Sequence, residues 1–353
     1  MRKIVYAVLA ICAVAACTKV TVLSEEPGEI SFHPVAAKAT KAAVDGTTYP
    51  EALNFRVWAW WDDAEASESP SYSDYLTLYI NKGEFKMKSG TNWGGWDSSQ
   101  NKAHPYYWPT TGSLVFAGFS PADADGDFTY DLKTQTFKAT NYVQSNDIAK
   151  TKDLMWFDAE KSYKTNLGTK EVPVGIPAVF HHALSWLTFR FNLKDATTSQ
   201  NWKITGVTLK NIKTKADYTH PVTSPDTPWK NQTDSSGMVV WTGEHNVVYK
   251  STEPDKLESV ENGVVIIPQS SIAGSDPIKD PAPQLEITYS LKNSAGTPEY
   301  LEGQKVSMLL PVEGSAWQPG KHYTYTIIFG ANEILVSPNI ENWTTESANI
   351  EVQ

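Results

Sequence analysis

The chain has 353 residues, a formal net charge of −10 and two cysteines, Cys12 and Cys17. The acidic balance excludes a nucleic-acid binder, and with no cysteine after Cys17 there is neither a disulfide framework nor a cysteine zinc site. Hydrophobic residues make up 41% and aromatic residues 12%, enough for two domains with substantial cores and weighted towards β structure.

Residues 1–16 read as an export signal. Arg2 and Lys3 precede an apolar run from Ile4 to Ala16 that is too short to span a bilayer. Val14-Ala15-Ala16-Cys17 resembles a bacterial lipobox, in which the cysteine becomes the acylated first residue of the mature chain. Cys17 is therefore the predicted lipidation site, and no downstream thiol exists for it to pair with. Residues 17–50 form a lead rich in Lys, Ala, Thr and Pro, with one apolar island, "EISFHPV" at 29–35, as a predicted strand.

Residues 51–170 make the first predicted domain. In "LNFRVWAWW", Leu53, Phe55, Val57 and Ala59 share one face while Trp58 and Trp60 share the other, so something must cover both faces. The acidic, Ser-rich stretch at 62–74 reads as a loop. Further on, Leu114, Phe116 and Gly118 alternate towards a core, and "DLMWFDAE" at 153–160 closes this half. Gly168, Pro173, Gly175 and Pro177 mark the boundary.

Residues 171–353 make the second. Its strand patterns are cleaner: Leu187, Phe189, Phe191 and Leu193 alternate with polar residues, and Tyr323, Tyr325, Ile327 and Phe329 line one side of a later strand. Strands that hide one face each call for two sheets packed together. The adjacent His181 and His182 invite a metal or catalytic reading, but neighbours on a strand point to opposite faces and cannot share one ion. A structural role is expected for the pair.

Recognised catalytic patterns are missing. The sequence holds no G-x-S-x-G elbow, H-E-x-x-H, C-x-x-C or P-loop, so no catalytic residue, metal or cofactor is expected and the protein reads as a non-enzyme. The sequons at Asn231 and Asn342 are set aside, because a lipobox belongs to a bacterial route. Tryptophans are the better interaction candidates, since exposed indoles stack on sugars or anchor interfaces. Trp93 and Trp96, flanking Gly94-Gly95 in an expected loop, are the candidate ligand contacts.

Several strings then line up in order and spacing. In the first half these are "ISFHPV", "NFRVWAWW", "YYWPTTGSLVFAGFSP" and "DLMWF"; in the second, "VFHHALSWLTFRF", "VVIIPQ" with "LEITYSL", "WQPGKHYTYTIIF" and "ILVSPNIENW". Together they resemble the fimbrillin family of Bacteroides-type bacteria, the type V pilins and their Mfa-like relatives, over nearly the whole mature chain. The resemblance implies an all-β fold of two tandem transthyretin-like Greek-key β-sandwich domains. It implies a lipoprotein on the outer membrane, part of a fimbrium, whose partners are other fimbrial subunits and a host protein or glycan.

It also implies assembly by strand exchange: a protease clips after a basic residue, an N-terminal strand leaves its groove, and a C-terminal strand of the next subunit enters. "EISFHPV", with Ile30 and Phe32 alternating inwards, matches the strand that leaves, and Ala348, Ile350 and Val352 match the donor. The family is processed after arginine, yet none lies between Cys17 and Phe55; Lys38 or Lys41 serves instead, or the subunit stays unclipped as an anchor or accessory component. A glycan-binding surface lipoprotein is the rival reading, and it rests on the tryptophans.

Overall fold

The computed structural model describes residues 28–35, 49–89, 92–159, 161–164, 175–197, 201–222, 227–252, 254–256, 263–292, 301–330 and 333–343. Strand is the dominant regular structure of these residues, as the alternation predicts, and they hold no α-helix. In chain order the first strands are β1 (Ser31–Val35), β2 (Phe55–Asp62), β3 (Thr77–Ser89), β4 (Asn92–Asp97), β5 (Lys102–Ala103) and β6 (Ser113–Ser120). There follow β7 (Asp125–Asp131), β8 (Thr136–Val143), β9 (Met155–Phe157), β10 (Ser162–Lys164), β11 (Ile176–Val179) and β12 (His181–His182). The remainder are β13 (Ser185–Leu193), β14 (Asn201–His220), β15 (Trp229–Asn246), β16 (Asp255–Lys256), β17 (Val264–Ile266), β18 (Gln284–Lys292), β19 (Leu301–Leu309), β20 (Lys321–Phe329) and β21 (Ile334–Asn342).

The first sheet runs in the order β11-β1-β4-β3-β2-β6-β9-β12. Its two ends are one piece of chain, because only Phe180 separates β11 from β12. The Phe180 amide donates to the Val35 carbonyl (3.1 Å) and the Ala183 amide to the Leu154 carbonyl (2.8 Å), which ties this piece to both edges. The sheet is thereby rolled into a barrel. Phe55, Val57 and Ala59 of β2 are fully buried inside it, and Trp58 and Trp60 face outwards into a second core.

That second core is closed by β7, β8 and one half of β14. Phe119 stacks on Phe128 at 4.2 Å, and the Trp156 indole donates to the Tyr218 hydroxyl at 3.0 Å. β14 is twenty residues long and binds the halves into one sheet. Its first half pairs with β18 and its second with β8, while β15 flanks it along the opposite edge. A third core lies between the β14-β18-β19 sheet and the sheet of β13, β20 and β21, where Leu187, Phe189, Phe191, Tyr325, Ile327 and Phe329 are all buried.

Two local expectations change. The expected loop at Trp93 to Trp96 is a strand, β4. Gly94-Gly95 signals a turn in sequence, but here the missing side chain admits a neighbour: a Cβ on Gly95 would lie 2.1 Å from the His104 carbonyl oxygen. Residues 176–182, on the far side of the predicted boundary, pair with the first sheet.

Gly118 sets a test of barrel packing. A Cβ there would stand 2.4 Å from both the Arg56 carbonyl oxygen and the Phe157 ring, whereas at Gly237 the nearest atom is 3.7 Å away. Urea unfolding should find Gly118→Ala destabilised by about 1–3 kcal/mol and Gly237→Ala within about 1 kcal/mol of the parent chain.

Candidate strand-accepting site

β1 occupies the middle of the barrel wall and the middle of its contents. Alternation puts Ile30 and Phe32 inside, each fully buried, and leaves Ser31 and His33 half-buried. The Phe32 ring meets Phe85 (4.8 Å), Phe116 (5.3 Å) and Phe55 (5.7 Å), all edge to face, the geometry that aromatic quadrupoles favour.

Its backbone is engaged on both sides. β1 is antiparallel to β4, with Phe32 opposite Trp93, and parallel to β11, from Phe32 opposite Ile176 to Val35 opposite Val179. Ahead of the strand, the Ile30 amide donates to the Tyr106 carbonyl (2.7 Å) and the Trp108 amide to the Gly28 carbonyl (3.0 Å). The Ser31 hydroxyl accepts from the Gly175 amide, and Glu29 pairs with Lys88. Without this segment, two rows of backbone donors and acceptors would face each other across an empty apolar slot. Such a slot takes another strand.

The next described residue after β1 is Tyr49, which carries no signal in the sequence. Its ring stacks on Phe180 at 5.2 Å, its hydroxyl bonds the Ser120 hydroxyl at 2.7 Å, and burial pushes the phenol far above its ordinary pKa. Nothing in the sequence marks it; a tyrosine in a polar lead carries no periodic signal. Lys38 and Lys41 lie in sequence between the buried Val35 and the buried Tyr49, so a cut at either would separate β1 from the chain that follows. Both lysines, Cys17 and the donor residues Ala348, Ile350 and Val352 lie outside the described residues.

The remaining candidates fall in three places. Trp93 is 4% exposed, packs on Tyr49 at 5.5 Å and donates to the Leu53 carbonyl. It belongs to the barrel core and offers no face to a sugar. Trp96 is half-buried on the outer surface, with the Lys86 ammonium 4.3 Å from its ring centre. The histidines diverge as their alternation requires: His181 lies opposite Trp156, and His182 opposite Met155. His182 Nδ1 contacts Asp153 Oδ2 at 2.9 Å and its ring stacks on Trp343 at 3.7 Å. No group of three metal-ligating side chains converges among the described residues, and no helix there is long and apolar enough to cross a membrane.

Against this geometry, a sequence model described as fimbrillin-like matches residues 40–343. The chain belongs to the fimbrillin-like family. Among solved structures, a fimbrial protein from Bacteroides vulgatus is 14% identical, covers 90% of this chain and all 100% of its own, and superposes with a TM-score of 0.52. A presumed cell adhesion protein from Bacteroides ovatus is 14% identical over 91% of this chain and 99% of its own, with a TM-score of 0.46. At such identity the first likeness is one of fold. Comparison with curated proteins gives no match. For this fimbrillin-like chain, β1 lies ahead of the matched region.

Phe32 should carry much of what holds β1 in place. Phe32→Ala is expected to lower stability by about 3–5 kcal/mol in denaturant unfolding, and His33→Ala, on the other face, by about 1 kcal/mol or less.

Proposed function

We propose that this chain is a lipid-anchored fimbrial subunit assembling by strand exchange. Cys17 is its acylated N-terminus, β1 its removable strand, Lys38 or Lys41 its processing site, and the segment carrying Ala348, Ile350 and Val352 its donor. The observation that carries the reading is Phe32: a fully buried ring at the centre of the barrel, on a strand joined to the body through a stretch that holds both lysines. Its two-sided pairing means that any replacement must bring backbone groups as well as apolar side chains, and an alternating strand brings both. The family relationship supports a structural and adhesive role at the cell surface, with other fimbrial subunits as partners.

Anchoring is checked separately from assembly. Cys17→Ser should abolish labelling by a fatty-acid probe and release the protein from the outer membrane, since acyl chains contribute about 0.8 kcal/mol per buried methylene. Retained labelling would refute the lipid assignment.

For assembly, limited trypsin treatment of the folded precursor should cut at 38 or 41 and leave the rest intact, because ladder-bonded strands resist proteolysis. The clipped protein should then form SDS-resistant ladders, which deletion of residues 347–353 should stop without unfolding the monomer. A clipped wild type that stays monomeric would favour the unclipped anchor or accessory component.

A further inference from the structure

A second site lies on the outer surface of the barrel, and it uses none of the β1 residues. Across one row of the sheet, Arg56 on β2 stands opposite Glu84 on β3, and Glu84 stands opposite Trp96 on β4. Arg56 and Glu84 open into a cavity of about 300 Å³ whose other walls include Ala52, Asn54, Ser98 and Ala122.

The polar groups in it are held in place. Arg56 donates from Nε to the Ala122 carbonyl (2.9 Å) and from Nη1 to the Lys82 carbonyl (3.1 Å), which fixes the guanidinium plane. Glu84 is only 7% exposed, and its Oε1 accepts from Asn54 Nδ2 (2.6 Å) and from the Ser98 hydroxyl. Glu84 Oε2 and Arg56 Nη2 stand 3.7 Å apart. That is an ion pair but beyond a hydrogen bond, so an acceptor and a donor sit side by side, each with a hydrogen-bonding direction that the other does not take up.

The chemistry that fits between them is a pair of adjacent hydroxyls. One hydroxyl donates to Oε2 and the other accepts from Nη2, each bond strengthened by a full charge on the protein side. Free anions are opposed by Glu84 and cations by Arg56, while the adjoining Asp123 is paired with Lys152. The volume is at the small end for ligand pockets and admits one sugar ring, not a chain of them. We infer that this pocket binds a neutral hexose at the end of a glycan. The inference stands apart from strand exchange, because a subunit that never polymerises would carry the same pocket.

Saturation-transfer NMR on the whole mature chain, with methyl gluco-, galacto- and mannopyranosides and trisaccharides ending in the same rings, provides the test. At least one ring should bind with a dissociation constant of about 1 mM, with equal affinity free or at a terminus, and should shift the amides of Asn54, Ser98 and Ala122. Glu84→Gln should weaken binding about tenfold, the worth of one charge-assisted bond. Ala52→Trp, from an exposed position at the mouth, should abolish it with the melting temperature unchanged, and it decides the matter if Glu84→Gln fails to fold. The inference is overturned if no ring transfers saturation, or if binding survives Ala52→Trp.

Discussion

An apolar interior cannot be walled by an open sheet, and most of this molecule follows from how its first sheet is closed. The closing piece is Ile176–His182, which pairs with β1 at one end and β9 at the other. β1 is what β11 pairs with, so closure on that side runs through the most N-terminal described strand. Phe32 then fills the space that closure creates, among Phe55, Phe85 and Phe116. Fully burying one such side chain stabilises by about 1.5–3 kcal/mol, and each backbone bond lost from a buried ladder costs a similar amount. β1 is thus both wall and filling.

The barrel does not stand alone, because its outer face is covered by β7, β8 and β14. Since β14 continues into the pairing with β18, one strand contributes to both this core and the next. The same seam holds the point from which the C-terminal segment departs. Trp343 donates its amide to the Gly320 carbonyl at 2.9 Å and stacks on His182, which is in turn held by Asp153. The histidine that looked like half of a metal site serves to seat a tryptophan.

Alternation was legible wherever a strand has two plain faces. β2 reads correctly on both, and β13 and β20 read correctly on the buried one. Pairing partners were not legible, because a strand's sequence records its faces and not its edges. A division at 170 assigns β11 and β12 to the second half although both complete the first sheet. The length of β14 was hidden for another reason: register shifts at Gly206, Ile212 and Asp217, and a positive φ at Asn211, break the period that would reveal it. At the candidate sites, the inward alternation of Ile30 and Phe32 was visible and Tyr49 was not. Trp93 was misplaced because a Gly-Gly pair marks turns and close approaches alike. The Arg56 and Glu84 pocket was invisible, since those two residues meet only across strands.

Under the proposed strand exchange, closure by β1 gives a physical reason for cutting to come first. In that proposal, while the chain between Val35 and Tyr49 is uncut, β1 competes for its slot within one molecule, at an effective concentration of about the millimolar level or above. A donor from another subunit competes against that concentration at its own, lower one, with smaller side chains at Ala348, Ile350 and Val352 than the phenylalanine it must displace. The uncut precursor therefore stays closed. Cleavage between Val35 and Tyr49 would leave the described strands in place yet make β1 a separate piece of chain, so that once dissociated it would be lost by dilution. The proposed donor, covalently part of its own subunit, would be brought back by each further contact between neighbouring subunits. In this proposal one peptide bond decides between a closed monomer and an assembling subunit.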